Sequence, residues 1–392
     1  MATQQLALTS ETVRHLGLSV LEEHLPLHGN SDPQAETVTS QDCLSVLLYA
    51  AAHQTSIEQA ASQLETGPHP NTVRNRIDLL NIAELEVQLN AGMRSRLPSN
   101  LLDRPRRIAI DLTYIPYYGQ VTEENQMFIR RGKAKAGTTR FFVYATLYVI
   151  QPDKRLTVAL RFVRKEERLL EIIADLLARF RRMGGQVKRL YVDRGFYQVK
   201  VVRYLKQQDL SFVMLAPANE GIKKRFVGSR SYWTPYVMNS PTDGKEEVEL
   251  AVVRQYSRGK HGRHGIEWAA YVVHNYDRPL QTVAEEYRKR FGIESSYASM
   301  NEARGRTASR KPGVRLVLVG IALVLMNLWV YLKWQYVSWR RRGGRRVFAK
   351  RFPFQKLLTF LSQELEEIYG VVREVWIPAP DPGRSSKERR AM

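Results

Sequence analysis

From residue 107 to residue 216 the apolar side chains recur first at every second position and then at helical spacing, and this order constrains the fold more than any other feature. Ile108, Ile110 and Leu112 alternate with Ala109, Asp111 and Thr113, the period of a half-buried strand. Strand-like runs follow at residues 140–150 and 155–164. An amphipathic helix then covers 166–183 and stops at Gly184-Gly185, where a backbone tolerant of left-handed conformations ends a helix. A strand at 187–193, a helix at 197–208 and a strand at 211–216 complete the series. Three strands on short links, then strands alternating with helices, predict an α/β fold: a mixed five-stranded sheet with helices packed against it.

The flanking segments read differently. Residues 1–100 carry Leu and Ala at helical spacing with turn signals and no strand, which predicts an N-terminal all-α domain. Inside it, residues 55–80 form a helix-turn-helix-like segment. A short helix capped by Ser56 or Thr55 is followed by a turn with Gly67, Pro68 and Pro70, then by a second helix. Val73, Ile77 and Leu80 are expected inward, while Thr72, Arg74, Asn75 and Arg76 are expected outward, where Arg and Asn suit base edges and phosphates. An ordinary helical pair with a solvated face is the alternative. Residues 220–276, rich in Tyr, Trp, Val and basic side chains, read as a β-rich insertion that splits the sheet domain into 101–219 and 277–338. Residues 339–392 form a basic helical C-terminal region. Its amphipathic helix at 354–369 is a candidate subunit interface, and its tail from Pro378 reads as disordered.

Charge and cysteine usage narrow the function. Lys and Arg number 60 against 39 Asp and Glu in 392 residues, a formal charge of +21, which suits a polyanionic partner whose phosphates release counterions on binding. The single cysteine, Cys43, excludes an intrachain disulfide framework and a cysteine-based zinc site. The first residues lack the basic flank and apolar core of a secretory signal, so a cytoplasmic, nucleoid-associated protein is expected. Residues 316–332 are apolar apart from Asn327, at the lower edge of bilayer-spanning length. The Asn, Gly320 and the lack of a second such stretch predict a buried core helix and no membrane partner.

Three carboxylates carry the chemistry. Asp111 and Asp193 each close an apolar strand and fall on the face opposite their Ile and Leu neighbours. Glu294 shares a helical stripe with Tyr287 and Arg290, since offsets of three, four and seven residues return to nearly one direction. Phosphodiester cleavage needs an activated nucleophile and a stabilised leaving oxygen. Two hard cations roughly 3.5–4 Å apart supply both, and Mg²⁺ prefers carboxylate oxygens.

In these blocks the chain resembles an insertion-sequence DDE transposase of the Tyr-x2-Arg-x3-Glu-x6-Lys class. Asp111 stands in Ile-Asp-Leu-Thr-Tyr, Asp193 in Tyr-Val-Asp-Arg-Gly-Phe-Tyr, and Glu294 follows Tyr287 and Arg290. The Glu block and the stretch Gly-Thr-Thr-Arg-Phe-Phe-Val-Tyr-Ala-Thr at 137–146 resemble the archaeal-type subgroup. The sequence departs from the class at Asn301, where Lys is expected; Arg304 or Arg306 is placed to take over a phosphate contact.

The resemblance implies a ribonuclease-H-like catalytic domain in which Asp111, Asp193 and Glu294 hold two Mg²⁺ ions, with Mn²⁺ as the substitute. It also implies a transposase that binds double-stranded DNA at the ends of its element. Such an enzyme hydrolyses the end phosphodiester and transfers the strand into target DNA as a homodimer or larger synaptic assembly. Tyr287, Arg290 and Arg304, the basic run Arg130, Arg131, Lys133 and Lys135, and Arg74 and Arg76 are the candidate DNA and phosphate contacts. The basic run reads as a loop rather than a packed element. Trp233 and Trp268 are candidates for stacking on an unpaired base, with core packing the commoner role. His261 and His264 suit a solvated turn near phosphates better than a metal site. A catalytically defective or domesticated DNA-binding relic is the alternative, and Asn301 is the residue that favours it.

Overall fold

Capping chemistry fixes where the first helices begin. In a computed structural model that describes residues 7–29, 37–151, 154–258, 264–342 and 344–374, five helices open the chain: α1 (Ser10–His24), α2 (Ser40–Ala52), α3 (Ile57–Gln63), α4 (Pro70–Asp78) and α5 (Ile82–Arg94). Thr39 with Asp42 and Asn81 with Glu84 form reciprocal capping boxes, and Ser56 accepts from the Gln59 amide. Each satisfies amide donors that a helix start leaves without partners.

The sheet follows as β1 (Arg106–Pro116), β2 (Ile129–Lys135), β3 (Thr138–Gln151), β4 (Lys154–Val163), α6 (Leu169–Arg182), β5 (Val187–Val192), α7 (Val199–Gln207) and β6 (Phe212–Leu215). After α8 (Glu220–Lys223) come β7 (Tyr232–Ser240), β8 (Gly244–Arg258) and β9 (His264–His274). The chain closes with α9 (Val283–Arg288), α10 (Gly292–Glu302), α11 (Pro312–Tyr336), β10 (Ser338–Arg341), β11 (Gly344–Val347) and α12 (Phe354–Tyr369).

β1, β5 and β6 run parallel, while β3 pairs antiparallel with β1. Strand order is β2-β3-β1-β5-β6-β9-β8-β7, with β4 also on β3. The expected five strands lie contiguously within it, but among the described residues the sheet has nine, which corrects the expected number. β9 adds antiparallel to the open edge of β6, from Phe212↔His274 to Leu215↔Tyr271, and brings β8 and β7 with it. An edge of free amide and carbonyl groups is satisfied that way. The basic run at 130–135 is also not a loop. It is the arm β2 of a hairpin with β3, turned at Ala136 and Gly137, both with positive φ. Both its faces are exposed beyond Arg130, so no apolar period marks it.

Alternation along β1 divides the two sides of the sheet. Ile108 and Ile110 pack with α6 and α7, while Ala109 faces Tyr148, Tyr191 and Tyr287 beneath α9. A third cluster joins α1–α5 to α11 and α12, so the N-terminal helices share their core with the C-terminal ones.

Among the described residues α11 is the one helix long and apolar enough to cross a membrane, and nearly all of its apolar stretch is buried within the chain. Its Asn327 donates to the Met93 and Thr157 carbonyls and accepts from the Thr157 amide. Asn90 holds the amide and carbonyl of Leu160 in the same manner, and Glu86 accepts from the Phe162 amide at 2.7 Å. Side chains of α5 and α11 thus complete the outer edge of β4, which is why a polar residue recurs inside an apolar helix. The apolar face of α12 (Leu357, Leu358, Leu361, Leu365) is buried against α1 and α2, so the expectation that it forms a subunit interface is corrected. The tail from Pro378 lies outside the described residues.

Candidate active site

Parallel pairing of β1 with β5 puts Ile110 opposite Val192, and the next residue along the chain is an aspartate in each case, Asp111 within β1 and Asp193 just past the end of β5. Neighbouring strands are about 4.8 Å apart, so Asp111 and Asp193 stand side by side without any long-range coincidence. Asp111 keeps one carboxylate oxygen on the Leu112 amide at 2.8 Å. Asp193 begins the 3-10 turn Arg194–Phe196, and its carbonyl accepts from the Phe196 amide. Gly195 has ordinary negative φ and open space where a Cβ would stand; it lines the cleft rather than enabling the turn.

One guanidinium ties the two acids together. Arg290, 4 % exposed, places Nη1 3.3 Å from Asp111 Oδ2 and Nη2 3.6 Å from Asp193 Oδ1. The Tyr287 hydroxyl lies 3.4 Å from the Val192 carbonyl and 3.5 Å from Asp193 Oδ1, and its ring lies 5.3 Å from the Arg290 guanidinium. Burial pushes the Tyr287 phenol well above its ordinary range, so it stays protonated and acts as a donor.

The expected single helical stripe is corrected in one respect. α9 ends at Arg288, a 3-10 turn covers Lys289–Phe291, and α10 starts afresh at Gly292. Tyr287 and Arg290 still meet the two aspartates, but across a break. Glu294 lies in the first turn of α10, and its side chain is outside the described residues.

Two anchors of this segment had no signal in the sequence. Thr146 pairs with Asp111 across β3, and its hydroxyl meets the Tyr297 hydroxyl of α10 at 2.7 Å. Glu286, 2 % exposed, accepts from Tyr191 at 2.8 Å and lies within 4 Å of charged nitrogens on Arg107, Arg189, Arg278 and Lys289. That network fastens α9 to the sheet directly behind Tyr287. Burial opposes ionisation of Glu286, yet hydrogen bonds from Lys289 and Tyr191 and the charge of Arg107 outweigh it and lower its pKa below the ordinary 4.5.

A carboxylate with a lowered folded-state pKa stabilises the fold above its unfolded pKa and loses that contribution as pH falls through the folded value. Glu286→Gln is therefore expected to cost about 3 kcal/mol at pH 7, because buried Arg189 loses a counter-charge. The gap to the parent protein should narrow below about pH 4.5. Thermal melts at the two pH values check this; a gap that does not change with pH contradicts it.

The aspartates open into a cleft of about 410 Å³, also lined by Arg130, Lys165, Arg168, Gln198 and Lys200. Arg130 Nη1 is buried without a hydrogen-bond partner among the described residues. Arg131, Lys133 and Lys135 lie exposed along β2, outside the lining. Arg304 is half-buried and donates to the Asn301 side chain at 3.3 Å. Lys165, Arg168 and Lys200 escaped the sequence reading. Their position becomes visible only when the end of β4 and the start of α7 fold to the same mouth.

Among the helix-turn-helix candidates, Arg74 pairs with Glu58 and donates to Asn71. Arg76, expected outward, is buried and donates to the Leu27 and Val38 carbonyls, which corrects that expectation. The spacing explains it, since Arg76 stands three residues after inward Val73 and beside inward Ile77. Trp268 stacks on Phe226 at 6.1 Å, and Trp233 leans on Tyr276 with about a third of its surface exposed. His261 and the side chain of His264 lie outside the described residues.

Hard carboxylate oxygens side by side, with one cation already balancing them, form a donor set that fits divalent magnesium. Among the described residues no group of three potential metal ligands occurs, and the Glu294 side chain lies outside them.

Residues 103–330, more than half the chain, match the family described as a transposase DDE domain. The fold is similar to that of a piggyBac transposase, solved by cryo-EM as a synaptic complex with hairpin DNA. The likeness covers 99 % of this chain and 89 % of that one, at a TM-score of 0.53 and 11 % identity. At that identity the likeness concerns the fold. No curated protein matches the sequence.

Proposed function

Since the chain belongs to the transposase DDE domain family, we propose that it binds the ends of an insertion sequence, hydrolyses the phosphodiester there and joins the freed 3′-hydroxyl to target DNA. The observation that carries this reading is the juxtaposition of Asp111 and Asp193 under the single guanidinium of Arg290. The reading includes the Tyr-x2-Arg-x3-Glu-x6-Lys class and its archaeal-type subgroup, supported by Tyr287, Arg290 and Glu294 though Asn301 replaces the Lys, with strands β4-β3-β1-β5-β6 as a ribonuclease-H-like core.

Asp111, Asp193 and Glu294 are the side chains that would hold two Mg²⁺ ions, or Mn²⁺ in their place. Bound there, the ions would supply charge to activate the attacking oxygen and to stabilise the leaving one. Arg290 balances the two aspartates, and its charge beside them favours an incoming phosphate. Tyr287 donates a proton to hydrogen-bond Asp193 and fixes its orientation. Arg130, from the side of β2, faces the same cleft and suits the DNA backbone, with Arg131, Lys133 and Lys135 extending that track.

α3 and α4 form the end-binding helix pair, presenting Thr72, Arg74 and Asn75. The domain reading is a helical region at 1–100, a catalytic domain at 101–219 and 277–338, a β-rich insertion at 220–276 and a basic C-terminal region at 339–392. Two ends must be joined, so a homodimer or larger synaptic assembly is expected, in a prokaryotic cytoplasm at the nucleoid.

A second reading, a DNA-binding relic, draws on Asn301 in place of Lys. Against it, Arg304 sits hydrogen-bonded to Asn301 and keeps a cation beside that position. The test is incubation of the protein and Mg²⁺ with duplexes ending in the inverted repeats that flank its gene. Cuts at the repeat boundary that leave a 3′-hydroxyl are expected. End binding with no cutting in Mg²⁺ or Mn²⁺ would support the relic, and neither binding nor cutting would discard both readings.

A further inference from the structure

Between Glu302 and Glu364 the sequence contains no Asp or Glu, while Lys and Arg occur 14 times. Half of these fall between Arg340 and Arg351, where the chain leaves α11 and folds into the two-stranded hairpin β10–β11. We propose that this hairpin is a second contact for duplex DNA, outside the catalytic cleft and separate from the N-terminal helix pair, that grips the phosphate backbone without reading sequence.

The hairpin is not part of the nine-stranded sheet; among the described residues its strands pair with each other alone, Trp339↔Arg346 and Arg341↔Gly344 among the pairs. None of its residues lines the cleft that holds Asp111 and Asp193. Paired residues in a ladder share a face, so Arg341 and Arg346 lie on one side while Arg345 lies on the other. Arg341, Arg342, Arg345 and Arg346 are all exposed, as are Lys350 and Arg351 just beyond. Among the described residues no carboxylate pairs with any of them. Arg345 donates to the Trp334 carbonyl at 3.0 Å, which ties the hairpin to the end of α11.

Its base is rigid. Trp339 packs edge-on against Phe348 at 4.7 Å, and the guanidinium groups of Arg346 and Arg351 lie 5.7 and 5.5 Å from the Phe348 ring. Concentrated, like-charged guanidinium groups repel one another, and among the described residues no carboxylate offsets them; a dense line of fixed anions relieves that repulsion. A duplex offers one phosphate charge per about 1.7 Å of axis, and a two-stranded ribbon fits the width of its major groove. Anionic lipid would satisfy charge alone, but α11 is buried in the core and cannot lead the hairpin into a bilayer.

The proposal rests on the reading of the chain as a DNA-acting protein, and the test separates the two. Full-length protein and the triple variant Arg341→Gln/Arg342→Gln/Arg346→Gln are titrated with a labelled duplex by fluorescence anisotropy across a salt series. Each lost phosphate contact lowers the slope of log affinity against log salt by about 0.9, so a slope shallower by about 2 to 3 is expected, with binding roughly tenfold or more weaker. The corresponding Lys variants should keep the slope, and a fall in theirs equal to that of the Gln variants would overturn the electrostatic account. An unchanged slope in the Gln variant would overturn the hairpin contact while leaving the transposase reading intact. Failure of the parent protein to bind duplex at all would overturn both. Loss confined to vesicles of anionic phospholipid, with duplex binding unaltered, would give the hairpin to a membrane surface and also overturn the proposal.

Discussion

Asp111→Asn is expected to reduce end cleavage by about 10³–10⁴-fold, and Asp193→Asn by a similar factor, while end binding stays within about twofold. The amide keeps the size of the side chain and can still meet the Leu112 amide through its carbonyl oxygen; buried Arg290 loses one counter-charge but keeps Asp193, so some stability is lost while the fold is expected to hold. What disappears is the negative charge and one hard oxygen ligand. Both aspartates border the same cleft and the same guanidinium, so the double variant should be no worse than either single one. Effects that multiplied would mean that the two residues act at separate steps. Cleavage of end-bearing duplex in Mg²⁺, with binding measured alongside, decides between these results.

Arg290→Gln is the second large effect. The guanidinium is almost fully buried and balances two carboxylates at once, and an amide leaves them facing each other with no cation between. A fall in cleavage of about 10²–10³-fold is expected, the size associated with losing one preorganised donor to a developing anion. Arg290→Lys should recover only part of it, because a point charge on a flexible stem cannot span both acids the way a planar fork does. Full activity in the Lys variant would reduce Arg290 to a generic counter-charge. Thermal melts distinguish the catalytic loss from unfolding, since the Lys variant keeps the charge balance.

How far the sequence alone reaches can be traced residue by residue. The alternation at Ile108–Leu112 and the run before Asp193 were enough to put both acids on strands and on the face away from their aliphatic neighbours. Their adjacency followed from parallel pairing, which alternation cannot specify by itself. The helices were legible through caps such as Thr39–Asp42 and Asn81–Glu84, whose chemistry is local. The second arm of the hairpin at β2 was not legible, because a strand exposed on both faces has no apolar period. Nor was the attachment of β9 to β6, a backbone event indifferent to side chains. Arg76 was misplaced because a charged side chain was assumed to face water. Helical spacing from Val73 already put it inside, where two carbonyls await its donors. Glu286 could not have been found, since its four cationic neighbours come from β1, β5 and both sides of α9.

The helix break between Tyr287 and Glu294 bears on the centre itself. An unbroken helix would have fixed all three motif residues on one stripe; the 3-10 turn instead gives α10 its own start and its own anchor at Tyr297. The central claim is that Asp111, Asp193 and Glu294 hold metal together despite that break. Iron-mediated backbone cleavage tests it most directly: Fe²⁺ replaces Mg²⁺, and peroxide with ascorbate cuts the chain beside whatever holds the ion. Cuts next to all three residues, lost together in Asp111→Asn, are the expected result. Cuts beside only one of the three, or cuts that persist in that variant, would contradict the shared centre.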